Sequence, residues 1–462
     1  MENPRVVIIG AGPAGIRCAE TLVKQGMKPI VVDEQQQSGG QIYKRQPKTF
    51  KRSAQELYGT EYKKAQDVHQ AFDAIINKIT YYANTTVWAI EHKTLYVHQN
   101  DKPLEIKFDY LILCTGATDR VLPINGWELP GTYSLGGAQI ALKHQACSIG
   151  EKVAFIGTGP LLYLVAYQYL KAGANVAGVF DTSDFSSRVK AMDKLLAKPF
   201  ALLTGLKMIA ALKKAKVPVM TGITPKAIRG DNSVNGLTFE DNHNQTVEID
   251  CDAVALGFHI KPETQLADLA GCQFKFEETS QLWLPEVNDQ GETSVDYVFS
   301  AGDGCRILGA DAAELSGQVA AWSVLNKISN LNSQQQELHS KLQSRFKRLK
   351  RFGDGLAQAF PWPSHLISKL IDDTVVCRCE MITKAEIKLS VNSKEASEVN
   401  RSKSFSRVGM GRCQGRYCAH VNAQIIADEK QQPLQTSGRQ RSQAPAKPIP
   451  INVYVSPQQQ DV

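Results

Sequence analysis

Near the start of the chain, a run of four branched apolar residues leads directly into a glycine-rich turn. The run is Val6 to Ile9, the turn reads Gly10-Ala11-Gly12-Pro13-Ala14-Gly15, and a helical pattern follows through Leu22. In a G-x-G-x-x-G turn the first glycine makes the bend, the second lets the backbone approach a pyrophosphate, and the third lets the helix pack on the strand. The pattern therefore predicts a βαβ unit that binds a dinucleotide, in preference to a merely structural turn.

Two acidic residues end the next apolar strand, which spans 29–32. They are Asp33 and Glu34, and Glu34 lies 24 positions after Gly10. Since a carboxylate at about this offset accepts the ribose hydroxyls in such units, either residue is a candidate ribose ligand. We favour Glu34 over Asp33.

A second βαβ pattern begins at Lys152. Its turn reads Gly157-Thr158-Gly159-Pro160-Leu161-Leu162, and its second strand ends at Asp181. The first two glycines keep their roles, but Leu162 replaces the third and must alter the contact between helix and strand. Asp181 takes the place of the ribose acid and would repel a 2′-phosphate, and Arg188 comes only later in the chain. The sequence thus predicts a second site for an adenine nucleotide (ATP, ADP or NAD) and does not favour efficient NAD(P)H chemistry.

Near the other end of the chain, four cysteines form a C-x-C pair and a C-x₄-C pair: Cys377, Cys379, Cys413 and Cys418. Four thiolates suit an iron–sulfur cluster, and the neighbouring glycines let backbone N–H groups approach the sulfurs. Arg378, Arg412 and Arg416 can offset the negative charge. A structural zinc site is the alternative, although zinc-binding pairs are usually separated by two to four residues. The quartet favours one-electron transfer.

The composition is that of a globular protein with more than one domain. Of 462 residues, 43% are hydrophobic and 21% are charged, and the net charge of +7 is too modest to indicate a nucleic-acid partner. Basic residues concentrate at 341–351 on a helical pattern with apolar residues at 338, 342, 346 and 349. We interpret this as a solvated helix face, in preference to a surface that docks on an acidic partner or an anionic membrane.

The remaining sequence features indicate the compartment. The first strand begins at about Val6, which leaves no room for a signal peptide, and no apolar run is long enough to span a bilayer. Membrane contact would therefore be at most peripheral. Six cysteines occur singly and are predicted to be reduced core residues of a cytoplasmic protein: Cys18, Cys114, Cys147, Cys251, Cys272 and Cys305.

Three further segments resemble signatures of flavoproteins built from two dinucleotide-binding domains. They are Gly39-Gly40-Gln41, the stretch 111–117 that contains Thr115-Gly116, and the stretch 298–304 that contains Gly302-Asp303. The resemblance implies that FAD binds at the first site and that Asp303 hydrogen-bonds its ribityl chain. Taken alone, Asp303 would be interpreted as a turn residue.

From about Asp373 to Ala427 the chain resembles the [2Fe–2S] domain of the bacterioferritin-associated-ferredoxin type, in its CRCE opening and its GMGxCQGRxC close. That resemblance implies that all four cysteines ligate the cluster. From Val6 to Cys418 the chain resembles the alpha subunit of heteromeric FAD-dependent amino-acid dehydrogenases, a group with opine oxidases, D-hydroxyproline dehydrogenase and the B-type subunit of hydrogen cyanide synthase. The motifs are DEQxxxGGQIY, TGATDRxLPxxGWxLPG, GTGPLLYLVA and CRCE.

The family resemblance implies a division of labour between subunits. A beta subunit with its own FAD would oxidise an amino or imino acid, and this chain would relay electrons to an acceptor such as a quinone. The sequence agrees, because no catalytic residue can be identified. No C-x-x-C or C-x₄-C pair lies beside the flavin motifs, which excludes disulfide reduction, and His144 and His259 are interpreted as structural.

The predicted fold class is α/β, with two Rossmann-like domains and a small helical [2Fe–2S] domain. We expect an FAD domain at 1–120 and 285–330, a second nucleotide domain at 121–284, a helical connector at 331–371, the cluster domain at 372–430, and an extended or disordered tail at 431–462. Two other functions stay open. One is a self-sufficient NADH-dependent reductase, and the other is a nucleotide-binding scaffold subunit.

Overall fold

The computed structural model describes residues 4–47, 49, 53, 55, 59, 61–100 and 102–450. In the first part of the chain the strands are β1 (Val6–Ile9), β2 (Ile30–Val32), β3 (Thr80–Tyr82), β4 (Thr85–Glu91), β5 (Thr94–Gln99), β6 (Lys102–Lys107), β7 (Tyr110–Leu113) and β8 (Ala117–Asp119). The helices described there are α1 (Pro13–Lys24) and α2 (Glu61–Ile75), with a 3₁₀ turn at Ile76–Lys78.

The middle of the chain contains β9 (Thr132–Ser134), β10 (Lys152–Thr158), β11 (Asn175–Asp181), β12 (Val219–Thr221), β13 (Thr224–Arg229), β14 (Gly236–Glu240), β15 (Thr246–Asp250), β16 (Ala253–Phe258), β17 (Ile260–Pro262), β18 (Phe274–Glu277) and β19 (Leu282–Pro285). Its helices are α3 (Leu135–His144), α4 (Pro160–Ala172), α5 (Phe185–Lys190), α6 (Met192–Leu195), α7 (Pro199–Lys214) and α8 (Gln265–Leu269).

The last part contains β20 (Val298–Ser300), β21 (Val375–Cys377) and β22 (Ile382–Thr383). Its helices are α9 (Ala310–Ile328), α10 (Ser333–Ala359), α11 (His365–Ser368), α12 (Lys384–Ser393), α13 (Val399–Ser406) and α14 (Ala419–Lys430), with 3₁₀ turns at Gly302–Gly304 and Leu434–Ser437. Within the described residues, no helix combines the length and apolar character that crossing a bilayer requires.

A five-stranded parallel sheet in the order β20-β7-β1-β2-β3 forms the first nucleotide-binding fold. Its register pairs Ile9 with Val32 and with Leu113, and Leu113 with Ser300. The residues that follow these strand ends therefore emerge at one edge of the sheet, where ligands bind in such folds. The sheet is buried between α1, which packs on α9, and an antiparallel sheet of β4, β5 and β6.

A second five-stranded parallel sheet, in the order β12-β11-β10-β16-β9, forms the second fold. Gly157 on β10 is paired with Asp181 on β11, which brings the second glycine turn beside its acid. Strand β17 pairs with β8 and so connects this fold to the first one. The predicted α/β class with two Rossmann-like folds is confirmed by this architecture.

The cysteine segment has a small apolar cluster of its own, formed by Val391, Val399, Ala423 and Ile426, but it shares a larger core with the second fold. Its residues Val376, Cys377 and Val421 belong to the same buried cluster as Trp127 and Ile228 of the second fold. The indole N–H of Trp127 also donates to the Val375 carbonyl at 2.6 Å. Apolar burial therefore fixes the position of the cysteines on the second fold.

The connector and the tail also pack on the rest of the chain. Helix α10 begins with a capping box formed by Asn332 and Gln335. The segment 438–450 has no helix or strand, yet Arg439 pairs with Asp268 at 2.7 Å and the Ala446 N–H donates to the Trp88 carbonyl at 2.8 Å. The predicted extended or disordered tail is thus a docked coil as far as residue 450, and 451–462 lie outside the described residues.

Candidate functional site

The first glycine turn has little room for any other residue. Gly10 has φ +106°, and a Cβ there would lie 2.2 Å from the Cys114 carbonyl oxygen. A Cβ on Gly15 would lie 1.8 Å from the Gly10 carbonyl oxygen. Gly12 is different, because its Cβ position is 3.7 Å from Gly40 and is not obstructed. The first and third glycines are therefore required by the fold, whereas the second leaves space beside the backbone.

The other flavin-motif segments meet at this turn. A Cβ on Gly40 would lie 3.0 Å from the Cα of Gly12, and one on Gly302 would lie 2.8 Å from the Cβ of Ala14. Pro13 occupies the first turn of α1, and Gln41 is exposed. Segments distant in sequence are thus brought to a single edge, as the glycine motifs predicted.

The two candidate ribose acids have different environments. Asp33 is buried and accepts hydrogen bonds from the backbone N–H groups of Ala11, at 2.5 Å, and Gln35, at 2.7 Å. Its carboxylate therefore braces the glycine turn, and burial raises its pKa. Glu34 is exposed and pairs with Lys447 from the docked tail. The side chain of Glu34 is the one that faces outward from the turn.

Asp303, the residue that the flavoprotein resemblance assigns to the ribityl chain of FAD, lies in the 3₁₀ turn Gly302–Gly304. Its carboxylate accepts from the N–H groups of Leu308, at 2.9 Å, and Gly309, at 3.2 Å, and burial raises its pKa. A cavity of about 630 Å³ lies beside it, lined among others by Gly302, Asp303 and Arg306. This volume falls within the usual range for small-molecule sites.

The single cysteines differ in burial. Cys18, Cys114, Cys251 and Cys272 are buried, but Cys305 is half-buried and Cys147 is exposed, so the prediction of core residues was wrong for Cys147. Its helix, α3, ends just before it, and the sequence around it gave no sign of that exposure. Burial raises the pKa of Cys305 to about 11, which makes this thiol unreactive.

In the second site, the carboxylate of the predicted ribose acid, Asp181, is hydrogen-bonded to other residues of the protein. Asp181 is fully buried and accepts from the Tyr163 hydroxyl at 2.7 Å, the Ser183 N–H at 2.8 Å and the Arg188 guanidinium at 2.7 Å. Burial raises its pKa, and Arg188, seven positions later, supplies the compensating charge. A ribose could reach this carboxylate only by displacing one of these donors.

The glycine turn of the second site is covered by residues from other parts of the chain. A Cβ on Gly159 would lie 3.2 Å from the His259 ring, and the ring's Nε2 is hydrogen-bonded to the Phe360 carbonyl of the connector. Burial lowers the pKa of His259 to about 4, so the imidazole is neutral, as expected for a structural histidine. The Phe360 ring lies 5.0 Å from the guanidinium of Arg188. Leu162 is fully buried in the core of this fold.

The four cysteines of the quartet are close together. The sulfur of Cys418 lies beside the sulfurs of both Cys377 and Cys413, and Cys413 in turn lies beside Cys379. The neighbouring Cys418 lowers the pKa of Cys377 to about 6 and that of Cys413 to about 5, whereas the pKa values of Cys379 and Cys418 are raised. The four thiols thus share their protons unequally, and metal binding would require all four to be deprotonated.

Glycines allow the close approach of backbone to sulfur that their spacing predicted. The N–H of Gly409 contacts Cys377, that of Gly415 contacts Cys413, and a Cβ on Gly411 would lie 2.2 Å from the Cβ of Cys379. The sulfurs form a series of contacts, and no group of three or more His, Cys, Asp or Glu side chains in the described residues surrounds a point as ligands of one ion would.

A largely buried ion pair connects the flavin motif to the cysteine segment. Arg416 donates to the Glu263 carboxylate at 2.6 Å and to the Cys413 carbonyl at 3.2 Å. On the other side, the Glu263 N–H donates to the Gly116 carbonyl at 3.0 Å, and the Thr115 hydroxyl donates to the Glu263 carbonyl at 2.7 Å. The predicted pair Thr115-Gly116 and the cysteine loop are therefore joined through two residues.

Glu263 was not predicted from the sequence, because it belongs to no recognised motif. Arg416 was noted only as a charge near the cysteines. The neighbouring Lys261 also faces a cavity of about 120 Å³ between the two segments, together with Arg416 and His420. The available signal was the position of Glu263 just after a strand, β17, that continues from the second sheet.

Comparison with known proteins agrees with this geometry. The model of the family described as pyridine nucleotide-disulphide oxidoreductase matches residues 4–323. The chain belongs to that family. It is an FAD-dependent oxidoreductase. A second family model, the sarcosine oxidase A3 domain, matches residues 373–456, which include the four cysteines.

Relatives that match almost the whole chain identify a narrower group within this family. The oxidoreductase is 32% identical to the A-type subunit of opine oxidase from Rhizobium meliloti, over 96% of this chain and 86% of that protein, and it belongs to the same family. It is 29% identical to the HcnB subunit of hydrogen cyanide synthase from Pseudomonas aeruginosa, over 98% of each chain. Among solved structures, L-proline dehydrogenase from P. horikoshii shares the fold, with a TM-score of 0.72, 18% identity, and coverage of 98% of this chain and 79% of that one.

Proposed function

We propose that this chain is the electron-transfer subunit of a heteromeric dehydrogenase that oxidises an amino or imino acid, such as an opine or D-hydroxyproline. Its cofactors would be FAD at the first glycine turn and a [2Fe–2S] cluster at the cysteine quartet. When bound, a flavin accepts electrons in pairs and releases them singly to an iron–sulfur centre. The observation that carries the proposal is the link from Thr115-Gly116 through Glu263 and Arg416 to the Cys413 loop.

Several residues support FAD at the first site. Gly12 leaves the approach to the N-terminus of α1 open, and Glu34 directs a carboxylate outward from the same edge. Glu34 is favoured over Asp33 as the ribose ligand because both oxygens of Asp33 accept hydrogen bonds from the turn. Gly40, Gln41, Gly302 and Asp303 would complete the site.

The quartet supports a cluster because four soft ligands lie in contact and backbone N–H groups surround them. Arg416 lies beside the Cys413 loop and can offset the charge of the thiolates. Arg378, another predicted counter-charge, instead lies over the Trp127 ring and donates to the Glu128 carbonyl. Cys377, Cys379, Cys413 and Cys418 would be the ligands.

The second site argues against the NADH-dependent alternative. Gly157 and Gly159 keep the shape of the turn, but Asp181 is bound to Arg188 and the turn faces His259. Electrons would therefore enter from a partner flavoprotein, in keeping with relatives that are named as subunits of larger enzymes. An adenine nucleotide bound at this second site would have a structural role.

Anaerobic purification followed by iron, sulfide and flavin analysis tests the cofactors. We expect iron, acid-labile sulfide and released FAD in the wild type, and an electron paramagnetic resonance signal after reduction. Cys413→Ser should abolish iron binding and that signal while FAD remains. Cys251→Ser, at a buried single cysteine, is the matched control and should retain both. Zinc in place of iron, or a colourless wild-type protein, would contradict the proposal.

The source of electrons is tested by mixing the oxidised protein with NADH anaerobically and following the flavin absorbance. We expect no bleaching on the timescale of turnover. Rapid bleaching would establish the NADH-dependent reductase instead, and unchanged activity of the complex after Cys413→Ser would support the scaffold alternative.

A further inference from the structure

A group of large apolar side chains is exposed in the helical segment that follows β11. Phe185 and Val189 belong to α5, Leu196 lies just after α6, and Phe200, Leu203 and Leu206 belong to α7. Phe200 is 80% exposed, Phe185 71% and Leu206 63%. We call these six residues the outer face. Single exposed apolar residues are ordinary, but six of them along consecutive helices of one segment indicate an interaction surface.

The outer face is distinct from the side of the helices that packs on the protein. On the inner side, Leu195 and Ala191 are buried against Phe352 of α10, and Leu212 is buried in the core of the second fold. Leu212 is the one fully buried residue of the sixteen in α7. The core therefore uses a narrow stripe of these helices, and Phe200, Leu203 and Leu206 contribute nothing to it.

Charge around the outer face is strongly basic. The stretch 184–216 contains eight lysines and arginines but only two acidic residues, Asp184 and Asp193. Five of its lysines are exposed and make no ion pair with any described residue: Lys190, Lys207, Lys213, Lys214 and Lys216. Helix α10, which packs on α5 and α6, adds the exposed Arg345 and Arg348.

We propose that the outer face docks this protein on an anionic lipid bilayer surface, with Phe185, Phe200 and Leu206 entering the interface and the lysines binding headgroups. Phenylalanine and leucine flanked by unpaired lysines are the composition of helices that lie in a membrane interface. Protein interfaces are instead depleted in lysine, whereas exposed lysines accompany the exposed apolar residues along this segment.

Vesicle flotation with the full-length protein tests the docking. We expect the wild type to float with vesicles of phosphatidylglycerol and phosphatidylcholine in equal amounts, and to stay unbound with phosphatidylcholine alone. Raising the salt from about 0.1 M to about 1 M, which shortens the Debye length from about 10 Å to about 3 Å, should reduce binding. Binding that ignores both lipid charge and salt would overturn the proposal.

The variant Phe200→Ser with Leu206→Ser should lower the partition coefficient by about tenfold or more, because two large apolar groups no longer enter the bilayer. Lys207→Gln with Lys214→Gln should lower it about fivefold or more on the anionic vesicles only. The matched control is Leu389→Ser, which changes a side chain that is 59% exposed on α12, and it should bind as the wild type does.

Flavin content and melting temperature show that each variant is folded, since none of these side chains is buried. Equal flotation of wild type and Phe200→Ser/Leu206→Ser would refute the assignment of the outer face. The proposal also fails if no vesicle binding is seen while this double variant alone loses a self-association, or loses co-purification with a partner subunit, because the face would then be a protein interface.

Discussion

Replacing Glu263 by glutamine removes the carboxylate that joins the flavin motif to the cysteine loop. Both Glu263 and Arg416 side chains are only 12% exposed. Breaking a buried pair by removing one partner costs about 3–5 kcal/mol, because the other charge is left uncompensated. The glutamine retains an acceptor, and part of each side chain still reaches water, so we expect about 2–3 kcal/mol for Glu263→Gln.

Hydrogen exchange of peptides that span 258–270 and 410–418 measures this loss locally, which is necessary because a protein with several domains does not unfold in one step. A change of about 2–3 kcal/mol corresponds to exchange that is roughly 30 to 150 times faster. The control is Glu380→Gln. Its partner Arg407 is 65% exposed, so less than about 1 kcal/mol is expected.

The destabilisation caused by Glu263→Gln should depend on pH. Burial alone would raise the pKa of Glu263, but the charges of Arg416 and Lys261 outweigh it and the pKa is lowered from its ordinary value of 4.5. Since the folded-state pKa is the lower one, the stabilisation is present above pH 4.5 and is lost as the pH falls through the folded-state value. The wild type and Glu263→Gln should therefore converge only in acid. Equal exchange at neutral pH, or no more effect than Glu380→Gln, would refute the reasoning.

Two other substitutions test the nucleotide sites. Gly10→Ala places a Cβ 2.2 Å from the Cys114 carbonyl oxygen, so it should reduce the flavin content of the purified protein about tenfold or more, as measured by absorbance. The control is Gly205→Ala, whose added Cβ has nothing within 4 Å. This control should retain full flavin and match or slightly exceed the stability of the wild type. Arg188→Ala leaves Asp181 buried without its cation and should destabilise the second fold by about 3–5 kcal/mol, measured by hydrogen exchange of peptides from β10 and β11. Exchange equal to that of the wild type would show that Asp181 is compensated by its hydrogen bonds alone.

Sequence patterns predicted the parts of the fold that depend on local geometry. The glycines at 10 and 15 are required by contacts of 2.2 Å and 1.8 Å, so their spacing encodes the turn directly. The same holds for the strands that precede the two turns, since buried parallel strands are continuous apolar runs. The cysteine spacing likewise predicted which residues would meet, because glycines beside the sulfurs permit the close approach.

Long-range contacts were not predictable in this way. The pairs Glu263 with Arg416 and Lys447 with Glu34 join residues 153 and 413 positions apart, and a charged residue carries no local sign of its distant partner. The role of Arg188 was also missed, because it depends on α5 folding back over the end of β11. The outer face was encoded in the sequence, but its apolar residues alternate with others that are buried, and exposure cannot be separated from burial before the packing is known.

The contact between Lys447 and Glu34 has a consequence for biosynthesis. Glu34 and the glycine turn before it belong to the first nucleotide-binding edge and leave the ribosome long before Lys447, which is 413 positions after Glu34. During translation the tail can therefore reach that edge only after residue 447 has been made, and Glu34 lacks this partner until then. Among the contacts described above, the ion pair with Glu34 is thus the last that the growing chain can make at this edge.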